Sequence, residues 1–334
     1  MAVGEVIPLS KPGILKKIPG WLLDQKGPLA LRPSALPGIL PWFLRFLACA
    51  RRSKIAEIAQ DMATLTHHVF EDYAPLLEAC PDKTLMGERP IIEVFDTPSG
   101  IEHERDHLEL RKALGFKSQV LDAGAIADLE PSLSGKFSHG LLFSDWRAVS
   151  DTKGFIAALT QSFIDQGGVR VRGQVKRIDE VADRASGVTL ANGERLAADH
   201  VVIAAGTGSR QFFEQLGAQV PLAGIAGYQV LLPNPGVEIR HSVIYADGGF
   251  CFSPMTRGLQ IGGTIEFAGR MPSPTSSVPT SFSRRPARSF PDCNWTTSNT
   301  ASATVHFCPT PNPSSTVAPV CRMCSWRSAT ASSA

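Results

Sequence analysis

No excess of charge of either sign marks this sequence, because 33 Lys and Arg stand against 31 Asp and Glu. A nucleic-acid partner leaves a basic footprint, and the sequence has none. The opening residues, MAVGEVIPLSKPGILKK, lack the continuous apolar centre of a secretory signal. No apolar run is long enough to span a bilayer. The most apolar stretch, Ala35 to Ala50, is interrupted by Pro37, Pro41 and Arg45. Two readings of it stand: a buried helix, or a membrane-surface patch over residues 35–52 that includes Arg51 and Arg52. The seven cysteines lack the even count and regular spacing of a disulfide scaffold. A reducing, cytoplasmic compartment is therefore expected, with attachment to the face of the inner membrane if the second reading holds. No Ser-His-Asp or Cys-His arrangement stands out, so the sequence leaves the catalytic residues unknown.

What is present is a chain of 334 residues, 43% hydrophobic, long enough for one large core or two smaller ones. Its composition changes near residue 271. From there to Ala334 roughly half the residues are Ser, Thr or Pro, and Asp292 is the only acid. Such a segment buries too little apolar surface to offset its ordering entropy, so residues 271–334 are expected to be disordered. The change follows Ala268-Gly269 so abruptly that a reading-frame shift near residues 269–285 is a hypothesis. Translation of the other two frames tests it.

Hydrophobic periodicity places the elements before that point. Ser53 to Cys80 reads as a long helix broken near Pro75, with Ile55, Ile58, Met62, Leu65, Val69 and Tyr73 as its apolar face. Ile91 to Phe95 is a strand and Glu102 to Leu114 a highly charged helix. Ala125 to Glu130 is a short helix stopped by Pro131. Ser150 or Asp151 caps the helix of DTKGFIAALTQSFIDQ. Val169 to Val181 alternates like a strand pair broken at Gly173, and a hairpin turns at Ala191 to Glu194. Asp199 to Ala205, DHVVIAA, is an apolar strand suited to the middle of a parallel sheet. It runs through Gly206-Thr207-Gly208-Ser209 into a helix from Arg210 to Leu216. Two glycines without Cβ let main chain approach a ligand there, and a helix start offers free N–H groups.

This order of elements, ending in AAGTGS, resembles the second half of the FAD-binding domain in the D-amino-acid oxidase superfamily. The overall match is to its D-amino-acid dehydrogenase type. Further residues carry the resemblance: Trp146 to Asp151, the turn Glu130-Pro131-Ser132-Leu133, the strand Tyr228 to Pro233, and LQIGGTIEFAG from Leu259 to Gly269. It covers about residues 4 to 269. It implies a mixed α/β fold: a partial Rossmann-like FAD-binding domain, a substrate domain with a mixed β-sheet, and the tail. The implied divisions are 1–149 (helical part of the substrate domain and linker), 150–217 (remaining FAD-binding domain), 218–270 (substrate-domain sheet) and 271–334. The implied cofactor is FAD, held by the main chain at Val175 and by Ala205, Gly206, Thr207 and Gly208. The implied reaction is oxidative deamination of a D-amino acid, passing electrons to an unknown acceptor, with Tyr228 and Tyr245 as candidate substrate contacts.

The departures are as informative. The sequence contains no G-x-G-x-x-G, the turn that grips the flavin pyrophosphate in this superfamily. The resemblance implies a chain that starts beyond the first nucleotide-binding unit and lacks the arginine that would meet a substrate carboxylate. Weak or no FAD binding is therefore expected. Three alternatives stay open: an oxidase for glycine, sarcosine or a 2-hydroxy acid, a non-catalytic remnant, and a zinc hydrolase. The last rests on His103-Glu104-Arg105-Asp106-His107, which matches H-E-x-x-H. The charged neighbours of that segment favour a solvated helix face, and no metal site is expected. Cys321-Arg322-Met323-Cys324 is a chance C-x-x-C in a Ser/Thr/Pro-rich tail, and His67-His68 reads as structural.

Overall fold

In the computed structural model of this chain, residues 2–10, 12, 29–31, 36–79, 86–87, 89–220, 222, 226–267, 290, 292–294 and 304–307 are described. The fold is mixed α/β and divides into two units, one of residues 1–162 with 223–308, the other containing residues 163–222. In the first unit lie β1 (Leu29–Leu31), β2 (Met86–Gly87), β3 (Ile91–Phe95), β4 (Gln119–Asp122), β5 (His139–Phe143) and β6 (Ala148–Val149). The second unit holds β7 (Val175–Val181), β8 (Arg184–Leu190) and β9 (Arg195–Ala197). The chain then returns to the first with β10 (Ala226–Leu232), β11 (Ser242–Tyr245), β12 (Phe250–Met255), β13 (Gly258–Phe267) and β14 (Thr304–Phe307). The helices are α1 (Leu36–Ala48), α2 (Arg52–Thr66), α3 (Val69–Glu78), α4 (Pro98–Ala113), α5 (Ala123–Leu129), α6 (Thr152–Asp165) and α7 (Ser209–Gln215).

The large sheet of the first unit runs β14-β10-β13-β12-β11-β3-β5-β4, with β1 beside the far end of β13. It is mixed: β3 pairs with β11, and β1 with β13, in parallel, and the other pairs are antiparallel. Side-chain alternation splits its strands between two cores. Ile92, Val94, Val243, Phe252 and Ile261 join Ile126, Leu133 and Phe137 on one face. Ile91, Phe95, Leu141, Phe143 and Ile244 join Ile55, Ala59, Ala63 and Trp146 on the other.

The second core also takes the N-terminal segment, in which Val3, Val6, Ile7 and Ser10 are buried. Arg111, buried in α4, donates through Nε to the Gly4 carbonyl at 3.1 Å and pairs with Glu5 at 3.0 Å. A Cβ at Gly4 would come within 2.9 Å of Trp146 Nε1, so glycine is required for that approach.

Several local expectations are corrected. The long helix breaks at His67-His68, between α2 and α3, and Pro75 lies inside α3. The His67 ring holds the break, with Nε2 2.9 Å from the Leu114 carbonyl and the ring stacked 5.0 Å from Phe116. The buried face of α2 is Ile55, Ala59 and Ala63, while Leu65 is 74% exposed. Ile55, Ala59 and Ala63, at i, i+4 and i+8, join the second core, while the larger Met62 and Leu65 lie on the exposed flank. The cap of α6 resolves to Asp151, whose Oδ1 accepts from Gly154 N at 3.0 Å. Of the tail, Phe290 is buried in the first core and β14 pairs with β10, packing that its composition did not suggest. Cys308, Cys321 and Cys324 lie outside the described residues.

Candidate functional site in the second unit

The second unit is a three-stranded antiparallel sheet, β7-β8-β9, with the segment 201–205 and α7 packed on it. Val169–Gln174 forms no strand of its own. β7 turns directly into β8 through Ala182 and Asp183, both with positive φ (50° and 59°). The sequence reading missed this hairpin because Ala-Asp is not one of the glycine-bearing pairs that favour such turns. The expected hairpin at Ala191 to Glu194 is present, closed by Gly193 N donating to Leu190 O at 3.0 Å.

Val175 opens β7 opposite Leu190, and the register slips between Val175 and Arg177, leaving Lys176 as an extra residue. A bulge of this kind re-aims main-chain groups at the strand's start. Val201, Ile203 and Ala205 pack against Ile178, Val188, Leu190 and Phe212, while Val202 is 71% exposed. The segment is not the strand expected from its composition, because no described strand lies beside it to complete a ladder. The turn Gly206–Gly208 is one turn of 3-10 helix, with Gly206 at φ +57°, where glycine carries no penalty. Ser209, buried, pins it: Ala205 N donates to Ser209 Oγ at 3.1 Å, and Gly208 N donates to Ala205 O at 3.0 Å. The N–H of Ala205, a candidate cofactor contact, is thus engaged within the turn.

Two contacts escaped the sequence reading. Gln215, at the end of α7, clips the main chain of Ile178 in β7 through both ends of its amide. Asp179, which is buried, accepts from Thr189 Oγ1 at 2.8 Å and pairs with Arg177 (3.0 Å) and Arg195 (3.2 Å). Gln215 has no spacing signal because its partner lies in another element, and Asp179 reaches Thr189 and Arg195 on β8 and β9 as well as Arg177 on its own strand. An open groove of about 470 Å³ is lined by Ile178, Glu180, Asp183, Ala185, Val201, Ile203, Gln215 and Leu216. Neither Val175 nor Gly206 lines it.

The substrate candidates lie in the first unit. Tyr228 is 2% exposed in β10. Tyr245 donates its hydroxyl to both Asp96 carboxylate oxygens, at 2.8 and 2.9 Å, and its ring meets Phe137 and Phe250 edge-on. The H-E-x-x-H segment lies in α4, which is less solvated than its charges suggest. His107 is buried with Nδ1 3.0 Å from Glu104, and His103 Nδ1 meets the Ser99 carbonyl at 2.5 Å. Among the described residues no group of three or more His, Cys, Asp or Glu is placed to hold a metal ion.

Residues 31–322 match the DAO family of FAD dependent oxidoreductases. The chain belongs to that family. It is 32% identical over 277 residues to the D-amino-acid oxidase of Bradyrhizobium diazoefficiens, covering 81% of this chain and 64% of that protein. It is 28% identical over 281 residues to D-amino acid dehydrogenase 2 of Ralstonia nicotianae, covering 80% of this chain and 66% of that one. The chain thus spans a little under two thirds of the length of these relatives. Glycine oxidase from Geobacillus kaustophilus has the same fold at a TM-score of 0.54 and 17% identity, over 78% of this chain and 65% of that one.

FAD is the cofactor of the DAO family. The residues present fit it only in part. The pinned glycine turn and the bulged start of β7 are main-chain surfaces of the kind a cofactor can approach. A pyrophosphate needs a turn of free N–H groups, and the sequence holds no G-x-G-x-x-G to form one.

Proposed function

We propose that this chain serves the FAD-dependent oxidative deamination of a D-amino acid. The observation that carries the reading is the 32% identity to a D-amino-acid oxidase over 81% of the chain. In this reading the main chain at Val175 takes the adenine, and Ala205, Gly206, Thr207 and Gly208 lie along the flavin. Ser209 and Gln215 hold that turn in place. When bound, the flavin supplies the acceptor for the hydride. Because the sequence holds no G-x-G-x-x-G, weak binding by this chain is expected. Tyr228 and Tyr245 are left out of the substrate set, because one ring is buried and the other hydroxyl is held by Asp96.

A second reading, a folded chain without turnover, is favoured by the lack of G-x-G-x-x-G. Purified protein saturated with FAD, given D- and L-amino acids and an artificial dye acceptor, separates the two. Dye reduction by D-amino acids alone supports the proposal. Oxidation of L-amino acids alone, or no reduction by a chain shown to carry flavin, sinks it.

A further inference from the structure

We propose that residues 290–294 are a latch, held on the first unit as a bound peptide, and that the socket beneath them recognises an aromatic residue followed two positions later by an acid. The inference is independent of the flavin reading. From residue 271 to Ala334 the sequence is rich in Ser, Thr and Pro, and its one acid, Asp292, stands two residues after Phe290. A sequence of that composition binds a folded surface through short motifs, because it cannot build a core of its own. Residues 290 and 292–294 belong to no strand or helix, and among the described residues no ladder joins them to the sheet.

Phe290 is buried, and its ring meets those of Phe252, Tyr245 and Phe250 edge-on, with centroids 4.5, 6.2 and 6.3 Å apart. Phe137 lies 6.1 Å away. These rings also pack on one another: Tyr245 on Phe137 at 5.1 Å and on Phe250 at 5.2 Å, and Phe250 on Phe252 at 5.4 Å. The socket therefore keeps its own contacts when the latch leaves, and edge-on geometry favours a flat ring in it. Lys136 reads both parts of the motif. Its Nζ lies 5.3 Å from the centre of the Phe290 ring and 2.6 Å from Asp292 Oδ2. Asn294 N donates to the Pro235 carbonyl at 2.6 Å, which ties the latch to the loop between β10 and β11. Held by side chains and one such bond, the segment can open without unfolding the sheet.

Cys293 is buried between these anchors, so brief alkylation of the full chain, read by mass spectrometry, reports the latch. In the parent Cys293 should label slowly, and Phe290→Ala should speed it at least about tenfold. Cys251, in β12, should stay as slow as in the parent, which shows that the sheet is still folded. A fluorescent peptide of residues 289–295 carrying Cys293→Ser should bind the Phe290→Ala chain. It should bind the parent at least about tenfold more weakly, because a tethered latch already fills the socket. Lys136→Glu is the second variant, and it decides the matter if Phe290→Ala unfolds the chain. Burial pushes the Cys293 thiol up and the Lys136 charge partly offsets this, so loss of that charge alone slows alkylation. Faster labelling in Lys136→Glu therefore reads opening, and adding Asp292→Lys should restore the slow rate. Fast labelling of Cys293 in the parent, or no acceleration in Lys136→Glu, overturns the proposal. So does equal peptide binding by parent and Phe290→Ala, or none by a Phe290→Ala chain that still protects Cys251.

Discussion

Gln215 bonds both main-chain polar groups of Ile178, accepting from the amide at 3.1 Å and donating to the carbonyl at 2.6 Å. One side chain thereby ties the helix that follows the glycine turn to the strand that Val175 opens. The clip acts beside the apolar packing of Val201, Ile203 and Phe212 in joining the turn's helix to β7.

Gln215→Leu keeps the volume and removes both bonds. It should destabilise the second unit by about 1 kcal/mol, the net worth of hydrogen bonds that water in the open groove replaces in part. Amide hydrogen exchange is the readout: peptides of β7 should exchange faster while those of β3 and β5 are unchanged. Equal protection of β7 in variant and parent would show that the clip contributes nothing.

Glu130 is fully buried and accepts from Arg240 N and His241 N, both at 2.9 Å, with His241 Nδ1 at 3.3 Å. It anchors the loop between β10 and β11, as does Ser132, which donates to the Glu238 carbonyl. Glu130→Ala should cost about 2–4 kcal/mol in urea unfolding, because charge-assisted bonds are lost and buried donors are stranded. Glu130→Gln, which keeps one acceptor oxygen, should cost less.

Gly206→Ala places a Cβ at φ +57° and should lower stability by about 1 kcal/mol. If the turn lies against the flavin, FAD affinity falls as well, by more than the same substitution at Gly193, another positive-φ turn glycine. The parent chain should itself purify with less than one flavin per chain. A full complement of tightly held flavin would refute the reading that the pyrophosphate lacks its turn.

Burial pushes the Cys251 thiol above its usual range, against a weaker opposing effect from main-chain hydrogen bonding at Gly262. The folded state then holds that proton more tightly than the unfolded state. Its contribution to stability is complete below the unfolded thiol pKa of about 8.5 and is lost as pH rises through the higher folded value. Melting temperature should therefore fall from about pH 8.5 upward, less steeply in Cys251→Ala. Native protein at neutral pH should resist alkylation at this sulfur. Parallel curves for parent and variant would show no such linkage.

Several turns and caps were legible from local chemistry. Asp151 is a capping residue next to a helix-forming run, Asn192-Gly193 marks its own turn, and the glycines at 206 and 208 punctuate an apolar run. What was not legible came from distant partners. His67 breaks its helix because of Leu114 and Phe116, and Glu130 is buried because residues 240 and 241 fold over it. Periodicity picked the larger side chains of α2 for the core. The second core took Ala59 and Ala63 beside Ile55 instead.

Sequence by itself determined the mixed α/β class through the order of its local elements, and its resemblance to the D-amino-acid oxidase superfamily implied the family and the cofactor, which the family match bears out. It also shows that no G-x-G-x-x-G is written in this sequence. Tertiary structure alone decided which polar side chains are buried and which face of α2 packs. Those outcomes depend on how close one surface comes to another, and a linear pattern carries no distances between segments a hundred residues apart.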